Sequence, residues 1–356
     1  MRAMEAPTPR PDGDLRVGSR VVVRHRLDTP DPLSGATLTD VVGQLVHADA
    51  DGLVVLTRHG EVRVPRSLVT ASKEVPPRPS RRGAPHLALS VEDLQRVMVG
   101  AWPAMETERL GDWLLRASRG FTNRANSVVT AGSPGMPVPA ALDAVERWYA
   151  GRGLPPNVTV AGPVSLDVAT DPVGAETLAR GYVPRVATLA LTAPTRLVAG
   201  AMTSAVTRGT ATSGLGTPEA GAPGRRRVEV GEELTEEWFT AYCSYRQVDV
   251  VAAHAILTGS PVQVFGTARD EHGGVVGIGR LAISAAWGGV AAMWVAPEAR
   301  RRGVASAVLV ALARSAAERG VASLHLQVDA DNTDALAFYA GRGFERHHAY
   351  VNLSRR

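Results

Sequence analysis

The segment Arg300-Arg301-Arg302-Gly303-Val304-Ala305-Ser306 puts three cations and a glycine directly ahead of a run with helical spacing. The first N–H groups of a helix have no intrahelical acceptor, and the helix dipole adds partial positive charge, so such a segment suits an anion. Gly303 removes the side chain where a phosphate oxygen would come closest. Two linked phosphates, as in the pyrophosphate of a coenzyme, match this arrangement. Downstream, Asn332 and Tyr339 stand seven residues apart, nearly two helical turns, and so share a face.

These residues need elements to hold them. Val290–Val295 is an apolar run and predicts a buried strand. Val304–Glu318 predicts a helix with Val304, Val308, Ala311, Leu312 and Ser315 on one side. Leu324–Val328 predicts the next strand, Asn332 caps a last helix with Asp334 in its first turn, Gly343 suits its stop, and Ala349–Leu353 closes the chain as a strand. Upstream, Val228–Val230 predicts a strand. Leu234, Trp238, Ala241 or Tyr242, and Tyr245 give one face of a helix, and Val262–Ala268 with Val275–Ile283 forms a hairpin.

A middle region has a similar order. Ser90 is a candidate cap, 112–118 and 126–130 predict strands, 139–151 a helix, 157–161 a strand, 173–180 a short helix and 187–192 a closing strand. Arg152-Gly153 and Arg319-Gly320 follow equivalent helices, and Leu178–Tyr182 stands where Ala340–Phe344 stands in the last region, so the two regions read as an internal repeat. Tyr149–Gly153 and Tyr339–Gly343 are identical pentapeptides in different helices, which we read as coincidence. Residues 200–224, rich in Gly, Thr, Ser, Ala and Pro, predict a loop or linker. Ahead of both regions, 17–25, 40–48, 53–57 and 61–64 predict short valine-rich strands, and 73–85 a Pro/Arg-rich linker.

A formal net charge of +4 over 356 residues is mild and gives no ground for a nucleic-acid partner. The N-terminal region sets Arg20, Arg24, Arg26, Arg58, Arg63 and Arg66 against many acids and offers no aromatic to stack on a base. Cys243 is the only cysteine, which excludes an internal disulfide and a cysteine-rich metal site. No stretch reaches the roughly 18 apolar residues of a membrane span. A soluble, cytoplasmic protein with neither a membrane nor a nucleic-acid partner is the expectation.

Two motifs carry a resemblance. Val295-Ala-Pro-Glu-Ala-Arg300-Arg-Arg-Gly303-Val-Ala305 resembles the hallmark of the GNAT family of N-acetyltransferases, a strand, then Arg/Gln-x-x-Gly-x-Gly/Ala, then a helix. Asn332-Thr-Asp-Ala335-Leu-Ala-Phe-Tyr339 with Gly343-Phe344 resembles that family's second segment. The resemblance covers about residues 228–353 and implies acetyl-CoA as co-substrate, an amine acceptor and no metal. It implies pantetheine contacts from Met293, Trp294, Val295 and Asn332, pyrophosphate contacts from Arg300, Arg301, Arg302, Gly303, Val304, Ala305 and Ser306, and Tyr339 as the acid that meets the departing thiolate. Ala305 stands where a second glycine is more usual, which the pattern permits.

The expected fold class is α/β (α+β): a GNAT-like mixed sheet flanked by helices, preceded by a degenerate GNAT-like lobe and a small all-β SH3-like barrel. The expected divisions are a tail at 1–13, the barrel at 14–72, a linker at 73–87, the degenerate lobe at 88–198, a linker at 199–224 and the catalytic domain at 225–356. The middle lobe is degenerate because Ala131–Pro137, where the arginine loop would be, has no arginine and two prolines, which lack amide donors. The whole resembles a tandem-lobe actinobacterial type. Mycothiol synthases share that plan, but the barrel departs from them, so their acceptor is not carried over.

Attack on a thioester needs a neutral amine and so a base. Many members of the family use a carboxylate on the strand before the arginine loop, and Val290–Trp294 has none. Glu237, Asp249, His254, Asp329 and His347 are the candidates, with a water relay as the alternative. Cys243, Trp238, Tyr242 and Tyr245 read first as core, and His347-His348 has no ligand cluster around it. A rival function is a non-catalytic acyl-CoA sensor or scaffold that interacts through its barrel.

Overall fold

The computed structural model describes residue 15, 17–27, 29, 36–57, 60–75, 84–206 and 228–355. Contacts divide the chain into Met1–Arg78 and Pro79–Arg356.

The first unit is a five-stranded antiparallel sheet of β1 (Arg20–Arg26), β2 (Leu38–Ala48), β3 (Gly52–Thr57), β4 (Gly60–Pro65) and β5 (Val69–Glu74), in the order β4-β3-β2-β1-β5. Val21, Val23, Leu45, Leu53, Val55 and Val64 alternate inward and form its core. β5 is absent from the sequence reading because its Thr, Ser, Lys and Glu carry no apolar alternation. Of the arginines considered for nucleic acid, Arg24 pairs with Asp40 at 2.8 Å and Arg66 donates to the Asp49 carbonyl. Arg58 lies outside the described residues.

The second unit holds one 12-stranded mixed sheet. In chain order it comprises α1 (Val91–Ala101), β6 (Glu106–Leu110), β7 (Trp113–Ala117), β8 (Val128–Val129), α2 (Val138–Ala150), β9 (Asn157–Gly162), α3 (Pro172–Ala179), β10 (Val183–Pro184), β11 (Thr188–Pro194) and α4 (Thr195–Val206). After residues outside the described set come β12 (Val228–Gly231), α5 (Glu236–Cys243), α6 (Val250–Thr258), β13 (Val262–Arg269), β14 (Val275–Ser284), β15 (Trp287–Val295), α7 (Val304–Glu318), β16 (Ser323–Asp329), α8 (Thr333–Ala340) and β17 (Glu345–Ser354).

The repeat is visible as a reciprocal exchange. β8 pairs in parallel with β9, and β15 with β16. The strand that ends the first copy, β11, lies between β16 and β17, while the strand that ends the second copy, β17, pairs with β9. Each copy thus completes the sheet of the other. Equivalent turns repeat as well: Gly153 and Gly320 take φ of 63° and 73° after α2 and α7, and Gly181 and Gly343 take 79° and 84° after α3 and α8.

One expectation is corrected. Residues 200–206, read as part of a loop, form the second half of α4, and 207–224 lie outside the described residues. Val198 of α4 is buried in one cluster with Val308, Leu309, Leu312 and Ala316 of α7. That second cover explains why α7 buries more than one stripe of residues. Below α7 the sheet has little room. A Cβ on Gly279 would come within 2.7 Å of Val308 Cγ1, so this close approach needs glycine.

Candidate active site

β15 and β16 pair only at Trp287↔Ser323, Gly288↔Leu324 and Gly289↔His325. Beyond these points β15 stays with β14 alone and β16, paired with β11 along its whole length, stays with β11. A register shift in β15, with Ala292 at φ 52°, widens the gap. The strands open into a V, and among the described residues no strand covers that edge of Ala291–Val295. Free backbone donors and acceptors on an open edge suit an extended amide-bearing ligand.

At the end of β15 the chain passes a short 3₁₀ turn, Pro297–Ala299, and enters the arginine loop. Arg301 and Gly303 both have positive φ, 57° and 81°. Arginine in this region is strained, which marks a turn held for its shape. No side chain caps α7 at Gly303, so its first-turn amides stay available. A Cβ on Gly303 would meet nothing within 4 Å, so the space beside it is open. The loop and the open β15 edge wall a cavity of about 560 Å³, closed on the far side by Asp334, Phe338, Tyr339 and Arg342 of α8 and its C-terminal turn. Met293, Trp294, Val295, Arg300, Arg301, Gly303, Val304, Ala305 and Ser306 all line it. Arg302 does not: it is exposed and outside the lining.

Asn332 lines a different cavity. This second space, about 520 Å³, has Met293, Ala335 and Tyr339 in its wall, and the first cavity shares all three. Asn332 also caps α8, accepting from Ala335 N at 3.1 Å. Tyr339 is 8% exposed and packs edge-on against Phe338 and Phe344. Burial pushes its phenol up to about 12, with the nearby Arg342 charge opposing, so it is a neutral hydroxyl at physiological pH. That hydroxyl has no hydrogen-bond partner among the described residues.

Arg342 is absent from the sequence reading. Its guanidinium lies 3.8 Å over the Phe338 ring, donates to the Phe338 carbonyl at 2.9 Å and reaches the Ser306 hydroxyl. It thereby ties the end of α8 to the start of α7 and adds a cation to the first cavity. The signal was available: Arg342 follows Tyr339 by three residues, the spacing of one helical turn.

Among the base candidates only Asp329 lines either cavity; it sits at the end of β16 and accepts from Thr188 Oγ1 at 3.0 Å. Glu237 pairs with Arg269, Asp249 caps α6 and pairs with Arg119, and His254 is exposed on α6. His347 bonds to the Leu89 carbonyl and to His348, away from both cavities. No group of His, Cys, Asp and Glu able to hold a metal occurs among the described residues. Trp238 and Tyr242 are fully buried, whereas Tyr245 stacks on Trp294, 5.7 Å between ring centroids. Burial raises the Cys243 thiol, which opposes thiolate formation.

Residues 228–344 match the acetyltransferase (GNAT) family, and this span contains the V-shaped opening, the arginine loop and Tyr339. Residues 228–344 are a GNAT-family domain. Residues 90–167 match the family described as probable histone acetyltransferase Rv0428c C-terminal, and 15–73 its N-terminal Sm-like domain. The first unit, expected as a small all-β SH3-like barrel, thus matches a family described as Sm-like. The probable histone acetyltransferase Rv0428c of Mycobacterium tuberculosis is 30% identical over 43% of this chain and 48% of its own length. The chain thus spans about half of that relative. The uncharacterized N-acetyltransferase YobR of Bacillus subtilis is 27% identical over 71% of this chain and 94% of its own. A functionally unknown conserved protein from Staphylococcus epidermidis has the same fold, with a TM-score of 0.50 at 12% identity over 74% of this chain and 98% of its own. No helix among the described residues is long and apolar enough to cross a membrane.

Proposed function

We propose that the protein is an acetyl-CoA-dependent N-acetyltransferase whose two cavities take donor and acceptor and meet at Tyr339. That shared wall is the observation that carries the reading, because donor thioester and acceptor amine must come together at one point. The fit of the donor rests on the open space beside Gly303, the uncapped first turn of α7 and the unpaired edge of β15. In this reading the amides of Gly303–Ser306 with Arg300, Arg301 and Arg342 hold the pyrophosphate, and Met293–Val295 pairs with the pantetheine arm. Arg302 supplies only long-range charge. Asn332 orients material on the acceptor side.

Tyr339 acts as a hydrogen-bond donor to the sulfur as the thioester breaks. A phenol near 12 is a weaker acid than an ordinary thiol near 8.5, so full proton transfer is uphill by about 5 kcal/mol. The hydroxyl stabilises the thiolate by a charge-assisted bond, and the thiolate takes its proton from solvent on release. Asp329 draws the acceptor ammonium into the cavity and takes its proton, directly or through a water. The middle copy contributes acceptor-side wall rather than a second coenzyme site. The mycobacterial relative's name makes a histone-type lysine acceptor one member of the panel to be tried.

The test is thiol release from acetyl-CoA across an amine panel. Turnover that falls sharply in Tyr339→Phe and Asp329→Asn supports the reading. Coenzyme binding without transfer to any amine supports the sensor instead.

A further inference from the structure

Several arginines in this chain have acidic partners. Arg24, Arg96, Arg119, Arg152, Arg180, Arg269 and Arg319 each pair with a carboxylate within 4.0 Å. Those around the acceptor cavity differ. Arg124 and Arg246 both line it, and among the described residues neither has a carboxylate partner. Arg246 donates from Nη1 to the Tyr242 hydroxyl at 3.1 Å and lies 4.5 Å over the Tyr242 and Tyr245 rings, yet its Nε is buried with no partner. Arg124 lies 4.6 Å over Trp102.

A third cation stands behind them. Arg116 is 5% exposed and, among the described residues, donates only to the carbonyl and hydroxyl of Ser127. It lines a small polar cavity whose wall shares Arg124, Gln327, Tyr350 and Asn352 with the acceptor cavity. Burial makes Arg116, Arg280 and His325 harder to protonate, and the nearby positive charge of Arg124 adds to it in the same direction. Among the described residues Asp329 is the single carboxylate in the acceptor cavity, and it lies at the Thr188 end with Asn332. Arg124 and Arg246 are half-buried and Arg116 is buried, and cations drawn away from water without counter-charges are costly unless something else supplies the charge.

Arg124 is also held in place. Asn126 Oδ1 accepts from the amides of Ser118 and Gly120 at 2.7 and 2.9 Å, and Nδ2 donates to the carbonyls of Phe121 and Thr122 at 2.7 and 2.8 Å. The loop it clamps contains Arg119 and Thr122 at φ 53° and 60°, a conformation that a β-branched residue rarely adopts. Strain of this kind persists where the surroundings fix a functional geometry.

We propose that the acceptor carries an anionic group, a carboxylate or a phosphate, which Arg124 and Arg246 bind while its amine faces Asp329 and Tyr339. The proposal rests on the acetyltransferase reading and narrows its substrate class. A cavity with this bias disfavours a lysine-rich peptide, which would add cations to cations. It also gives the middle copy a role: Arg116 and Arg124 belong to it, and Arg246, Asp329 and Tyr339 to the other.

Matched pairs test this on the full chain with acetyl-CoA: 4-aminobutyrate against butylamine, phosphoethanolamine against ethanolamine, and a lysine-rich peptide beside them. The anionic member should exceed its neutral partner in kcat/KM by about tenfold or more, the worth of one charge-assisted hydrogen bond. The pair with the larger ratio tells carboxylate from phosphate. The preference should collapse in Arg246→Gln and in Arg124→Gln; two variants are needed because Arg246 also packs on two rings. Neutral amines or the peptide reacting equally well, or a preference surviving both substitutions, overturns the proposal. If no amine reacts, the acetyltransferase reading fails by itself, and calorimetry with the same pairs still decides. Stronger binding of the anionic member, lost in the variants, upholds the site; equal binding overturns it.

Discussion

Tyr339→Phe removes one oxygen and nothing else. The ring contacts with Phe338 and Phe344, 5.0 and 5.6 Å between centroids, survive in phenylalanine. The lost hydroxyl has no partner among the described residues, so no buried group is orphaned and the stability cost stays below about 1 kcal/mol. The catalytic cost is different. A hydrogen bond to a charged group is worth roughly 1.5–3 kcal/mol, which is about 10- to 150-fold in rate. Because the bond forms as the thiolate develops, the loss falls on kcat, with KM for acetyl-CoA nearly unchanged. Thiol release at saturating coenzyme, with a melting curve on the same preparation, measures both. An unchanged kcat at unchanged melting temperature would refute the role given to Tyr339.

Four further outcomes are expected. Gly303→Glu should weaken coenzyme binding by about a hundredfold or more, since a carboxylate beside phosphate costs several kcal/mol, and calorimetry reads this directly. Asn126→Ala should lower stability to urea by about 2–4 kcal/mol, because four hydrogen bonds that clamp the 118–126 loop disappear together. Burial pulls His325 and His348 down to about 3, well below the ordinary imidazole value. Stability from these neutral histidines is present above about pH 6.5 and is lost as pH falls toward the folded values, at up to roughly 1.4 kcal/mol per pH unit for each. His325→Leu should therefore shrink the drop in melting temperature between pH 7 and pH 5, and since both His325 ring nitrogens lack partners it should cost little at pH 7.

The proposed donor half of the site is contiguous in the chain, and that is why its residues stand out in the sequence. Strand, arginine loop, glycine and helix occur in one run, and Tyr339 follows one strand later. The acceptor half is assembled from distant segments. Arg124 of one copy comes to line the same cavity as Arg246 and Asp329 of the other through the sheet the two copies share, which depends on strand pairing and leaves no local pattern. Missed elements have local causes. α6, Val-Val-Ala-Ala-His-Ala-Ile-Leu-Thr, is apolar on all sides and shows no helical stripe. β6, Glu-Thr-Glu-Arg-Leu, is a polar edge strand with no inward face to announce it. α4 hides behind Gly200 and is stabilised by packing on α7 rather than by propensity.

The most direct test is a crystal structure of the full chain with coenzyme A. The account predicts pyrophosphate over the amides of Gly303–Ser306 beside Arg342, pantetheine along Met293–Val295, and the sulfur at the Tyr339 hydroxyl where the two cavities meet. Coenzyme bound elsewhere, or its sulfur pointing away from Tyr339, would contradict it.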